Sequence, residues 1–190
     1  MVGLAGKAAA GKNTLLQVFL GRGFVVIDAD QLGHEALDAC SSALVDRFGT
    51  NERKALGRIV FRDGKALADL EAISHPYIHS RILQILRTLQ GKPAVINGAL
   101  LSRLKLGTIL DAVIWVKAPV LARLKRAKAR DDRNWRFVVR RAWVQRKLSA
   151  QDFGADVDIH SVENRASPEQ ARANLERILD RLPHFPERKP

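Results

Sequence analysis

Short, almost continuously apolar runs alternate with amphipathic stretches along this chain, and that alternation limits the fold more than any other feature. The runs predict strands at Val2–Ala5, Phe24–Asp30, Pro93–Asn97, Ala112–Val116 and Val157–Val162. Strands with so few polar residues are typical of parallel sheets covered on both faces. We therefore expect an α/β fold with a five-stranded parallel sheet flanked by helices.

Helical spacing fills the stretches between these runs. Apolar residues recur at i, i+4 between Leu15 and Leu20, and Gly21 supplies a stop. A second helical stretch covers Arg81–Leu89. The last helix begins at Ser167, an N-cap followed by Pro168 at the first helical position.

Length and composition fit one globular domain, or a core with a small insertion. The chain has 190 residues, of which 46% are hydrophobic, enough to bury a sizeable core. Its one cysteine, Cys40, excludes an intramolecular disulfide. Lys7 and Lys12 interrupt the apolar opening, and no apolar stretch reaches membrane length. We expect a soluble, cytoplasmic protein.

Positive charge is concentrated in one segment. Residues 117–147 contain twelve basic and two acidic residues, and so carry +10 of the formal net charge of +12. Such a field suits a polyanion, either a nucleic acid or a ligand with several phosphates. A solvated basic helix face is the plainer alternative.

The segment "GKAAAGK" has the spacing of a phosphate-binding loop, with Gly6 and Gly11 flanking four residues and Lys12 following. It follows a predicted strand and opens a predicted helix, where backbone N–H groups can face a phosphate. Lys12 would reach the terminal phosphates. The sequence thus predicts a nucleotide site made of Gly6, Lys7, Ala8, Ala9, Ala10, Gly11, Lys12, Asn13 and Thr14.

Asn13 stands where a hydroxyl side chain would ordinarily hold Mg²⁺. Its amide oxygen is a hard ligand of the kind that magnesium accepts, although it extends farther from the backbone. Thr14 comes one residue too late to replace it. We expect Asn13 to be the metal ligand of the loop, with capping or packing of the loop as the alternative.

The loop, "IDAD" (27–30), "HP" (75–76) and "APxxxxxxRxxxRD" (118–131) occur here in an order that resembles the dephospho-coenzyme A kinase family. The resemblance extends from residue 1 to roughly residue 180. It implies ATP-dependent phosphorylation of the ribose 3′-hydroxyl of dephospho-coenzyme A, the last step of coenzyme A synthesis, with ATP and Mg²⁺ as cofactors.

The same resemblance implies a P-loop kinase domain over residues 1–180. It divides the chain into a core (about 1–30, 91–117 and 150–180), a helical acceptor-binding insertion (about 31–90), a basic helical lid (about 118–149) and a tail (183–190).

Site residues carried over on the nucleotide side include Lys12 and four basic or amide residues of the C-terminal half. Arg126 and Arg130, four residues apart on one helix face, match arginines that grip phosphates, and Asn164 matches a residue near the adenine loop. Arg141 matches a further lid arginine, with the adjacent Arg140 left open.

On the acceptor side, Asp30 corresponds to the family's presumed general base. We expect it to end the second strand, where parallel sheets meet their ligands, with a helix N-cap as the alternative and Asp28 as a structural neighbour. His75 and Pro76 match the acceptor region, although a capping or core histidine is equally open. Arg53 also matches the insertion.

Three departures separate this chain from the family pattern. Lys7 and Ala9 replace loop glycines, and Asn97, which we expect to contact substrate, replaces an Asp at the end of the third strand. The stretch before Arg53 is short, which indicates a trimmed insertion. Because Asn13 and Asn97 are both neutral amides, magnesium would be held mainly by the nucleotide's phosphates and water.

Two other functions remain open at this stage. One is a P-loop kinase for another small acceptor, such as a nucleoside monophosphate. The other is a nucleic-acid-binding protein that uses residues 117–147. The expected partners are a small-molecule substrate without nucleic acid or membrane, and the expected state is a monomer or weak oligomer.

Overall fold

The computed structural model describes residues 1–104, 106, 109–130, 139, 145–153, 157–165 and 167–182, the side chains of residues 130 and 147 excepted. The chain divides into two compact units. The sheet unit comprises Met1–Ile27 and Gly91–Pro190, and the helical unit comprises Asp28–Gln90. Within the described residues, no helix is both long enough and apolar enough to cross a membrane.

Five strands form one sheet in the order β2-β3-β1-β4-β5. They are β1 (Val2–Ala5), β2 (Val25–Asp28), β3 (Ala94–Asn97), β4 (Ala112–Lys117) and β5 (Asp158–Glu163). The central strand β1 pairs in parallel with β3 and β4, so that Leu4 lies between Asn97 and Ile114. The five-stranded parallel sheet predicted from the apolar runs is confirmed, with strand ends shifted by one or two residues.

The described α-helices are α1 (Lys12–Gly21), α2 (Ala29–Ala39), α3 (Ser41–Phe48), α4 (Arg53–Val60), α5 (Gly64–Thr88), α6 (Val120–Arg130) and α7 (Pro168–Leu179). Short 3₁₀ turns cover Leu101–Leu104, Gln145–Lys147 and Ala150–Phe153. Helix α7 begins as its sequence predicts, because the Ser167 side chain accepts a hydrogen bond from the Gln170 N–H and Pro168 takes the first turn.

The second strand ends earlier than predicted. Strand β2 stops at Asp28, and Asp30 lies in the first turn of α2 rather than at the end of the strand. The cause is the Asp28 carboxylate, which accepts hydrogen bonds from the N–H groups of Asp30 at 2.9 Å and Gln31 at 3.1 Å. Asp28 is therefore the N-cap that starts the helix.

The core of the sheet unit lies between the sheet and helices α1 and α7. Leu15, Phe19, Leu175 and Leu179 are at most 1% exposed. The Phe19 ring meets Phe24 edge to face, with centroids 5.1 Å apart. This packing fixes the start of α1, because the helix cannot shift along the sheet without opening cavities in the core.

A buried arginine also joins α1 to α7. The Arg22 side chain follows α1, is only 4% exposed and lies 2.5 Å from the Asp180 carboxylate at the end of α7. Its Nη2 also donates to the Glu176 carbonyl at 3.3 Å.

The helical unit is organised around α5. Helices α2 and α4 pack against this long helix, and Leu44, Leu56 and Ile82 are at most 1% exposed. The Asp63 carboxylate caps α5 by accepting from the Lys65 N–H at 2.8 Å. Pro76 lies inside α5.

Candidate functional site

The glycine-rich loop connects β1 to α1, and its backbone requires small residues. Gly6 has φ +146°, and a Cβ added there would lie 2.6 Å from the Val116 carbonyl oxygen. Ala9 and Gly11 have φ values of 59° and 98°. A left-handed residue within a turn lets successive N–H groups line a concavity that suits an anion. The Ala10 N–H donates to the Lys7 carbonyl at 3.1 Å and closes the turn.

Lys12 begins α1 at the end of this loop. It is 9% exposed, and its Nζ donates to the Gly6 carbonyl at 2.9 Å. The side chain therefore folds back over the loop, where phosphates would lie. Asn13 is exposed on the next position of the helix, and Thr14 is half-buried with its N–H donating to the Gly11 carbonyl.

Two side chains from distant parts of the sequence contact the loop carbonyl of Ala10. Asn164, directly after β5, is 2% exposed and donates from Nδ2 to this oxygen at 3.0 Å. Arg126 in α6 donates to it from Nη1 at 3.4 Å, and from Nη2 to both Asn164 oxygens at 3.3 Å. The loop, Arg126 and Asn164, each predicted for the nucleotide site, therefore meet at one point.

Gln145 is a loop contact that sequence reasoning missed. Its side chain is 7% exposed, and its Oε1 accepts a hydrogen bond from the Ala8 N–H at 2.7 Å. The neighbouring Arg146 carbonyl accepts one from Lys7 Nζ at 2.8 Å. No motif marks Gln145, since it lies 137 residues from Ala8 in the chain.

Positive charge is crowded at the first half of the loop. Burial lowers the pKa of Lys7, the nearby Arg123 guanidinium lowers it further, and Asp152 partly opposes both. Burial also lowers the pKa of Arg123, which is 6% exposed. These two cations favour an anion at the loop, because a negative charge would relieve their repulsion.

Asn97 offers an oxygen that suits magnesium or a substrate donor. It ends β3 beside Leu4 of β1, is 4% exposed, and its Oδ1 has no hydrogen-bond partner within the described residues. A buried acceptor without a donor is costly unless a ligand or water satisfies it. Among the described residues there is also no cluster of three or more His, Cys, Asp or Glu side chains able to hold a metal. The residues present fit a magnesium ion that takes amide oxygens and waters rather than a carboxylate cage.

Four residues were predicted for the acceptor side in addition to Asn97. Asp30 in α2, Arg53 at the start of α4 and Pro76 in α5 are exposed, and His75 is half-buried; all four belong to the helical unit. His75 lies within α5.

Part of the predicted lid cannot be placed. Arg141 and its neighbour Arg140 lie outside the described residues, as do residues 131–138. Arg130 is the last residue of α6, and its side chain lies outside the described part of the chain.

A parallel α/β sheet with a glycine-rich loop between its first strand and first helix defines a P-loop nucleotide-binding protein. The particular family follows from comparison with known proteins. The family model "Dephospho-CoA kinase" matches residues 1–166. The chain therefore belongs to the dephospho-CoA kinase family.

Individual relatives agree with this assignment. The chain is 35% identical over 127 residues to a dephospho-CoA kinase of Borreliella burgdorferi, a match that covers 62% of each chain. It is 33% identical over 193 residues to a dephospho-CoA kinase of Anaeromyxobacter dehalogenans, covering 94% of this chain and 90% of the relative. The crystal structure of TT1252 from Thermus thermophilus is similar with a TM-score of 0.77 and 26% identity, over 95% of this chain and 96% of that one.

Proposed function

We propose that this chain transfers the γ-phosphoryl group of ATP to the ribose 3′-hydroxyl of dephospho-coenzyme A, giving coenzyme A and ADP in the last step of coenzyme A biosynthesis. The observation that carries the proposal is the preformed phosphate loop, with Lys12 folded over Gly6, in a chain that belongs to this kinase family. A cytoplasmic location and a monomeric or weakly associated state remain part of the proposal.

On the nucleotide side, the loop amides would bind the phosphates and Lys12 would neutralise their terminal oxygens. Arg126 already lies against the loop, so a small rearrangement of its guanidinium would let it contact a phosphate. Arg130 and Arg141 are proposed to add further positive charge to the phosphates. Phosphoryl transfer depends mainly on such positioning and charge stabilisation.

On the acceptor side, we assign Asp30 as the general base. Its carboxylate would take the proton of the 3′-hydroxyl while that oxygen bonds to the γ-phosphorus. The bond between the γ-phosphorus and the β–γ bridging oxygen then breaks, and ADP leaves with its electrons. Arg53, His75, Pro76 and Asn97 would bind the acceptor.

Magnesium completes the proposal. The amide oxygen of Asn13 would coordinate the ion. Asn97 would orient a water or a substrate hydroxyl through its Oδ1, which has no partner in the described part of the chain. What the ion supplies when bound is neutralisation of phosphate charge. Since both side chains are neutral, most of its ligands would come from ATP and water.

An acceptor panel tests the proposal against its alternatives. The full chain is supplied with ATP, Mg²⁺ and either dephospho-coenzyme A, adenosine or a series of nucleoside monophosphates, and ADP release is followed. We expect kcat/KM for dephospho-coenzyme A to exceed that for every other acceptor by at least about 10²-fold. Preference for a monophosphate would establish the other kinase class. Salt-sensitive RNA or DNA binding without turnover would instead support the nucleic-acid alternative.

A further inference from the structure

The carbonyl of Ala10 accepts hydrogen bonds from two side chains. It accepts from the neutral amide of Asn164 at 3.0 Å and from the cationic guanidinium of Arg126 at 3.4 Å. We propose that Asn164 is a positioning residue which, together with Arg126, polarises the Ala10–Gly11 peptide and so strengthens the Gly11 N–H as a phosphate donor. This inference rests on the proposed function, in which the loop binds the phosphates of ATP.

The physical basis is resonance within one peptide unit. Donors at a carbonyl oxygen draw electron density toward it, which leaves the N–H of the same peptide more positive. That N–H belongs to Gly11, the residue that caps α1. The N–H groups at a helix start lack partners within the helix and bind anions in the field of the helix dipole. Polarisation by two donors therefore adds to an existing anion site.

The Asn164 side chain is held in one orientation. Its Oδ1 accepts from Arg126 Nη2 at 3.3 Å, so its Nδ2 must face the Ala10 carbonyl. The backbone N–H of Asn164 donates to the Lys117 carbonyl at 2.7 Å, and this bond anchors residue 164 at the end of β4. The side chain is 2% exposed, and water therefore cannot replace these bonds readily.

The absence of a side chain at Gly11 lets the Asn164 amide approach the loop closely. A Cβ at Gly11 would lie 2.0 Å from Asn164 Nδ2, much closer than any side chain tolerates. Glycine at this position therefore serves two needs, a φ of +98° and room for the Asn164 amide. The close approach of the Asn164 amide to the loop therefore depends on both Asn164 and Gly11.

The proposed role of Asn164 can be distinguished from recognition of the adenine base. An asparagine that bound the base would affect adenosine as much as ATP. Because the Asn164 side chain bonds to the loop and to Arg126, its loss should weaken phosphate binding and leave the base unaffected.

The test uses ligands that separate the base from the phosphates. Binding of inorganic tripolyphosphate, adenosine and ATP to the full chain is measured by calorimetry for the unmodified protein, Asn164→Ala, Asn164→Leu and Asn174→Ala. Asn164→Leu fills a similar volume without a donor, and so keeps the test available if the alanine variant does not fold. Asn174 is the matched control, since its one side-chain hydrogen bond among the described residues is accepted from Arg177 in α7.

We expect both Asn164 variants to weaken tripolyphosphate and ATP binding by a similar factor, roughly tenfold or more, with adenosine binding unchanged. Asn174→Ala should bind all three ligands as the unmodified protein does. Tripolyphosphate binding that survives in both Asn164 variants, or a loss shared with adenosine, would overturn the positioning role. If the unmodified protein bound neither ATP nor tripolyphosphate, the proposed function itself would fail.

Discussion

The two units of this chain differ in how many polar side chains they bury. In the sheet unit, Lys12, Arg22, Asn97, Arg123, Gln145 and Asn164 are each at most 9% exposed. In the helical unit, Ser74 is the one comparably buried polar residue among those described, and its hydroxyl donates to Leu70 within its own helix. The proposed acceptor residues Asp30, Arg53 and Pro76 are exposed.

The difference indicates how the two sets of residues are prepared for function. Burying polar groups costs free energy that only well-placed hydrogen bonds offset, and three of the buried side chains, those of Lys12, Gln145 and Asn164, are hydrogen-bonded to the loop. Preorganised donors suit phosphates, because they stabilise the charge of the transition state without first having to reorient. The proposed acceptor residues Asp30 and Arg53 are exposed and would instead be free to adjust their rotamers around an organic substrate.

The largest expected effect comes from removing the loop lysine. Lys12→Ala should lower kcat by about 10³-fold or more, because the variant lacks the ammonium group that lies over the loop at Gly6 and is proposed to neutralise the terminal phosphate oxygens. Steady-state ADP release measures this effect, and circular dichroism checks the fold. Lys92, an exposed lysine of the same unit, supplies the control Lys92→Ala. Near-unmodified kcat in a folded Lys12→Ala protein would remove the loop from the mechanism.

A smaller effect is expected at Asp30, the proposed general base in the helical unit. Asp30→Asn should keep ATP binding and lower kcat by roughly 10²-fold, as expected for a lost general base. Asp38→Asn, at an exposed position of the same helix, is the matched control. If ATP affinity collapsed while kcat held, Asp30 would be a binding residue and the contrast between the units would weaken.

Stability should follow the same contrast. Asp180→Asn removes the carboxylate from the buried Arg22 and should lower the free energy of unfolding by about 1.5–3 kcal/mol. In the helical unit, Asp69 pairs with an Arg47 side chain that is 46% exposed, and Asp69→Asn should cost about 0–1 kcal/mol. Urea unfolding followed by circular dichroism compares the two. Equal losses would show that burial does not separate the units.

The smallest effect concerns the metal. If Asn13 coordinates Mg²⁺ through its amide oxygen, Asn13→Ser should preserve activity, whereas Asn13→Leu should raise the Mg²⁺ concentration for half-maximal rate by about threefold to tenfold. Magnesium titrations of the three proteins measure the shift. An active Asn13→Leu protein with the same midpoint would show that Asn13 only caps or packs the loop.

The strands and the start of α7 were predicted well because each has a local signal, whereas α5 begins at Gly64 and the sequence marked a helix only at Arg81–Leu89. The apolar runs marked all five strands, and Ser167-Pro168 marked the start of α7. The end of strand β2 was predicted two residues too late, since apolar periodicity cannot show that the Asp28 carboxylate accepts hydrogen bonds from the Asp30 and Gln31 N–H groups. From the sequence, either the end of the strand or a helix N-cap was open for Asp30, and Asp28 was expected only to be a structural neighbour.

The site was predictable only in part. The loop and Lys12 follow from spacing, whereas the Gln145 contact joins residues 137 positions apart and carries no motif. The Ala10 contacts of Arg126 and Asn164 likewise depend on how β5 and α6 pack beside the loop. Such tertiary contacts are set by the whole fold rather than by any local pattern.

The central claim is transfer of the γ-phosphoryl group to one hydroxyl, and the position of the new phosphate tests it most directly. The full chain is incubated with ATP, Mg²⁺ and dephospho-coenzyme A, and the product is examined by phosphorus NMR. A parallel sample contains the 3′-deoxy acceptor. We predict a new ribose 3′-phosphomonoester in the first sample and no transfer in the second. Phosphate at another position, transfer to the 3′-deoxy acceptor, or release of inorganic phosphate alone would contradict the account.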